Sequence, residues 1–162
     1  MKSEKVLNTG FTLIELLIVV AIIGLLASIT MGYLSSARKK GDDTAVKTNL
    51  HTVSTGSEIF YLNNNNSYLP TGGVNVTGTC STVYNTPGTD MFSKDKAIFD
   101  AIAEAVKRGN GSACYNNADF WAVAVGLSLT DNTSWCVDNQ GSAKIVNSVP
   151  SGAINSSTFL CN

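Results

Sequence analysis

One histidine, four cysteines and a scatter of carboxylates carry whatever chemistry this chain can do. His51 is the single histidine, so any Ser-His-Asp or Cys-His nucleophilic device would have to be built around it. It falls in a stretch with helical spacing, where an exposed or interface histidine is the simpler reading. Asp100 and Glu104 stand four apart on a second helical stretch, which reads as a solvated acidic face rather than an acid/base couple. No GxxxxGK[ST] or GxGxxG loop is present. Asp90, Asp131 with Asn132, and Asp138 with Asn139 offer oxygen ligands of the kind Ca²⁺ takes, but Asp and Asn are also turn formers. Neither a metal nor a cofactor is expected, and neither is catalysis.

The cysteines (Cys80, Cys114, Cys136 and Cys161) include no CxxC pair, and with one histidine the Cys/His spacing of a zinc site is missing. An even number of dispersed cysteines beyond an apolar segment reads as two disulfides, which require an oxidising compartment.

Composition divides the chain into two materials. From Phe11 to Leu34, 18 of 24 residues are apolar, against 50 of 128 from Ser35 to Asn162. The first is a rod of membrane length and the second a soluble domain that can bury one core. A soluble cytosolic enzyme does not fit that division. Past Arg38-Lys39-Lys40, residues from Gly41 onward hold 6 basic and 10 acidic side chains, a net of −4. That balance argues against a nucleic-acid interface, which needs a basic face. Abundant Asn, Thr, Ser and Gly, with the run Asn63-Asn64-Asn65-Asn66, suit an extracytoplasmic surface. Glycosylation sequons at Asn65, Asn75, Asn132 and Asn155 are unremarkable in such a composition.

As a helix, residues 11–34 extend roughly 36 Å, enough to cross a bilayer. A secretory signal would be shorter and would be followed by an A-x-A-like cut. Glu15 interrupts the apolar run. A carboxylate within a membrane helix costs on the order of 3 kcal/mol or more, so it needs a partner. Lys5 is ten residues away and Arg38 lies at the far end, so no cation of this chain is placed to reach it.

The stretch Gly10-Phe11-Thr12-Leu13-Ile14-Glu15 and the apolar helix after it resemble the processing site of type IV prepilins and of the related type II secretion pseudopilins. The resemblance covers about the first 35 residues closely. It implies a leader over residues 1–10, removed by a prepilin peptidase that cuts between Gly10 and Phe11 and methylates the Phe11 amine. It implies a transmembrane and filament-core helix over 11–34 and a soluble domain over 35–162. It also implies that Glu15 meets the Phe11 amino terminus of a neighbouring copy during filament assembly, which would supply the missing cation. Where many relatives have proline this chain has Gly32; glycine is also a weak helix former, so Gly24 to Gly32 could unwind or bend during assembly, without the fixed kink that proline would give. Lysines on both sides of the apolar run leave orientation by charge ambiguous.

In the soluble part, Val46, Leu50, Val53, Ser57 and Phe60 fall on one helical face, predicting that the long helix continues over Thr44–Leu62. The segment Phe60 to Pro70 is also similar to the end of the long helix in pilins and pseudopilins. Residues 71–92 read as a connector. A second helix is expected with Ser93 as its cap, Asp95 in its first turn, Ile98, Ile102, Ala105 and Val106 on one face, and Gly109 as its stop. Trp121 to Leu129 alternates as a half-buried strand with a small opposite face. A turn over Asp131–Ser134, a strand at Trp135–Asp138, a turn over Asn139–Gly141 and a strand over Ala143–Val146 complete a meander.

The expected architecture is α+β and type IV pilin-like: a long N-terminal helix, membrane-embedded in its first half, on a small antiparallel sheet with a second helix and a C-terminal disulfide loop. Four cysteines allow three pairings. Cys80–Cys114, bracketing the second helix, and Cys136–Cys161, resembling the C-terminal disulfide loop of many pilins, are favoured. The resemblance implies a pilin that polymerises through residues 11–60 into a filament serving adhesion, motility or DNA uptake. Implied partners are other copies of the chain, the peptidase, a pilus assembly platform, and membrane lipid before assembly. The chain would be single-pass in the cytoplasmic membrane with its C-terminal domain outside, and extracellular once assembled. The alternative is a pseudopilin of a type II secretion system, whose major forms more often rely on calcium than on disulfides. A solitary membrane-anchored enzyme or binding domain explains neither Glu15 nor the leader geometry.

Overall fold

The computed structural model describes residues 10–85 and 90–162. The expected leader therefore lies outside the described residues except for Gly10. Helix α1 runs Leu13–Asn63, in register with the predicted apolar face: Val46, Leu50, Val53 and Ser57 are buried, and Phe60 is partly so. It stays helical through Gly24 and Gly32. Contacts divide the chain into a unit ending at Ala37 and a second from Arg38 to Asn162. In the first, residues 11–34 are helical from Leu13 and exposed throughout.

The second unit is built on an antiparallel sheet in the order β1 (Val76–Gly78), β2 (Ser112–Asn116), β3 (Trp121–Gly126), β4 (Ser134–Asp138), β5 (Ala143–Val146). β1 and β2 were not expected. Alternation along β3 sends Trp121, Val123 and Val125 into a core with Val46, Leu50 and Val53 of α1. Trp121 is its centre, fully buried and edge-on to Tyr68 and Phe92 at ring-centre distances of 6.4 and 6.3 Å.

The other face of β3 is buried too. Ala122 and Ala124 pack with Ala153 and Ile154, so β3 is covered on both faces rather than half-buried. Its covering is the C-terminal segment, with α2 to α4 numbered along the chain: α4 (Pro150–Ala153) and the paired strands β6 (Ile154–Asn155) and β7 (Leu160–Cys161). The small residues on that face let the segment lie close. β3 also stops at Gly126 instead of running to Leu129, which is exposed.

The second helix is two. The short α2 (Met91–Lys94) is capped by Asp90, and α3 (Lys96–Arg108) by Asp95, whose side chain accepts from the Ile98 N–H. Ser93 is therefore not the cap; it lies inside α2, donating its hydroxyl to the Asp90 carbonyl. Ile98, Ala101, Ile102 and Ala105 form the buried face of α3, and Gly109 is its C-cap.

Candidate functional site

At the start of α1 the local chemistry is fully resolved. The Glu15 carboxylate accepts from the Thr12 backbone N–H and from the Thr12 hydroxyl, both at 2.8 Å, while the Glu15 N–H donates to Thr12 Oγ1 at 3.3 Å. This reciprocal arrangement is a capping box: two backbone donors that the first helical turn leaves without partners are satisfied by side chains. Glu15 thus has a partner within the chain, uncharged and three residues away. The signal is present in the sequence as Thr12-x-x-Glu15 before an apolar run. Gly10 and Phe11 are exposed immediately ahead of the box.

Beyond it the exposed side chains are almost continuously apolar. Leu16 is 62% exposed and Leu25 64%, values that water does not favour over so long an apolar run. A Cβ added at Gly24 or Gly32 would meet nothing within 4 Å. Ser28 and Thr30 turn their hydroxyls inward onto the carbonyls of Leu25 and Ala27, so these two polar groups are satisfied by the helix itself. A helix of this kind is stable only in lipid or against other apolar helices.

The four cysteines form Cys80–Cys114 and Cys136–Cys161. The first ties the segment after β1 to β2. The second fastens β7 against β4. Asp138 completes the clamp: its Oδ2 accepts the Cys161 N–H at 3.0 Å, and its Oδ1 accepts Gln140 N–H and Ser142 N–H in the β4–β5 turn. Asp90 is likewise occupied, accepting the Ser93 N–H. These two carboxylates act as turn and cap acceptors, and among the described residues no three His, Cys, Asp or Glu side chains converge to hold a metal.

The other chemical candidates stay apart from one another. His51 is exposed and borders a cleft of about 330 Å³ with Ser54, Glu58 and Asn139. No hydrogen bond links His51 to Ser54 or Glu58 among the described residues. Asp100 is held by Lys96 at 2.7 Å and Glu104 faces Lys107 at 3.5 Å, both pairs exposed. That is the solvated face the spacing predicted.

Residues 7–31 match the family model described as the prokaryotic N-terminal methylation motif. Over 56 residues the chain is 46% identical to the type IV wide pilus major component PilA4 of Thermus thermophilus, a match covering 35% of this chain and 43% of that protein. Over 54 residues it is 44% identical to the type IV major pilin protein PilA of Myxococcus xanthus, covering 33% of this chain and 24% of that one. The chain thus spans less than half the length of the curated relatives it matches. No solved structure matches it. The first third of the chain is thus similar to that of these two type IV pilins, which are structural proteins rather than enzymes.

Proposed function

We propose that this chain, sharing its N-terminal third with type IV pilins, is a pilin subunit that enters a type IV pilus through the apolar half of α1. A peptidase cuts between Gly10 and Phe11 and the new amine is methylated. The chain waits in the cytoplasmic membrane with its disulfide-bonded domain outside, and an assembly platform then moves it into the filament. The observation that carries this reading is a capped carboxylate, Glu15, at the head of an exposed apolar helix. In the filament the same carboxylate faces the Phe11 amine of a neighbouring copy, and the two charges compensate each other in an apolar core. The disulfides favour a surface filament over the pseudopilin alternative.

The test is the intact mass of protein sheared from cell surfaces, with and without reduction. The expected mass without reduction is that of Phe11–Asn162 with one methyl in place of an amine hydrogen, and less the four hydrogens lost to two disulfides. Mature protein confined to the membrane, with none in the sheared fraction, would select the pseudopilin; an intact leader would sink both readings. Glu15→Ala should leave cleavage intact and reduce or abolish filaments.

A further inference from the structure

Arg38, Lys39 and Lys40 have no use in the fold. All three are exposed and none makes an ion pair or side-chain hydrogen bond among the described residues. The nearest acids are already engaged: Asp42 with Arg108 at 3.3 Å, and Asp43 with the N–H groups of Ser128 and Leu129. Nor does orientation explain them, since three cations on the outer side of a membrane helix oppose the usual charge bias.

We propose that these residues form a collar that binds the phosphate headgroups of anionic phospholipids in the outer leaflet of the cytoplasmic membrane. Between Glu15 and Arg38 the sequence has no Asp, Glu, Lys or Arg, so the apolar stretch ends cleanly. Leu34 to Arg38 is four residues, roughly 6 Å along a helix. A headgroup layer is about 5–7 Å deep on each side of the hydrocarbon. Tyr33, 76% exposed at the end of the apolar run, is of the type enriched at that boundary. Three successive helical positions, 100° apart, wrap more than half the circumference and therefore meet lipid from several sides. Contrast sharpens the placement: the rest of the domain, from Gly41 onward, has a net charge of −4 and is repelled by an anionic surface. The collar rests on the membrane-anchored reading above and adds a lipid class to it.

The test places full-length protein in phosphatidylcholine vesicles containing phosphatidylglycerol and compares spin-labelled forms of the two lipids for association with the protein. One cation near an anionic surface is worth roughly a fivefold change in association at low salt. The expected result is a severalfold preference for phosphatidylglycerol that collapses in 0.5 M NaCl on the order of a Debye length of a few ångströms. It should also be lost in R38Q/K39Q/K40Q and kept in K94Q/K107Q. Equal preference in the triple variant and the native chain overturns the proposal. So does a triple variant that keeps its lipid preference but fails to form filaments, which would assign the cations to a neighbouring copy. Carbonate extraction of the same vesicles reports insertion separately: an uninserted chain overturns the collar together with the membrane reading, whereas an inserted chain without lipid preference overturns the collar alone.

Discussion

Asp43 and Ser128, 85 positions apart, are joined by a 2.6 Å hydrogen bond in which the Ser128 backbone N–H donates to Asp43 Oδ1. The Leu129 N–H donates to the other oxygen at 3.3 Å. One buried carboxylate on α1 therefore fixes the chain as it leaves β3. Asp43→Ala leaves two N–H groups short of their acceptor, and the loss should be about 2–3 kcal/mol. A melting temperature within 1 °C of native, roughly a negligible shift for a domain of this size, would show that water replaces the carboxylate at no penalty.

Removing the C-terminal staple should loosen one segment before the whole. The Cys136–Cys161 bridge closes a sequence separation of 25, worth at most roughly 3.5 kcal/mol by chain entropy. In C136S/C161S, hydrogen exchange should rise first over residues 150–161, while α3 stays protected. Uniform loss of protection would mean that the segment and the sheet unfold as one unit.

Tyr68 sets an alkaline limit. Burial, then its hydrogen bond to Glu58 at 3.0 Å and the charge of that group, push its phenol up to about 12. The folded value exceeds the unfolded value of about 10, so the stabilisation is complete below pH ~10 and fades as pH rises toward 12. Tyr68→Phe should flatten that part of the stability curve. An ultraviolet titration in which all tyrosines ionise together near pH 10 would contradict it.

Gly126 closes β3 where the backbone of Asn110 runs against it: Asn110 N–H donates to the Gly126 carbonyl at 2.8 Å, and Gly126 N–H donates to Gly111 at 3.1 Å. A Cβ at this position would collide with the Asn110 carbonyl. Backbone cannot give way as a side chain can, so Gly126→Ala should destabilise by about 2–4 kcal/mol in a denaturant titration. A midpoint unchanged from native would show the loop free to move aside.

What could be read from the residues was what repeats. Val46, Leu50 and Val53 recur at helical spacing, and Trp121, Val123 and Val125 at every second residue, so α1 and β3 were legible. Ser112 to Asn116 is buried at four of its five positions, so it shows no alternation, and β1 has three residues. The tie of the tail to the sheet through Cys136–Cys161 was legible, but the covering of β3 by residues 150–161 was not, because Ala153, Ile154 and Phe159, which make it, follow no helical or alternating period. Asp43 gave no local sign, its acceptors' partners being far along the chain. Cysteine pairing follows from register rather than spacing: Cys114 lies opposite Val123 and Cys136 opposite Ala124. The two therefore point to opposite faces of the sheet and cannot reach one another.

The sheet's margins bear on crowding. β1 is three residues long and ends on Gly78 at φ +129°, and β5 is four residues long with Lys144 exposed. Short, glycine-broken or lysine-bearing margins offer poor templates for strand addition. In the proposed filament, neighbouring domains would thus have little to zip together through their sheet edges. Cohesion in that filament would fall to the helices.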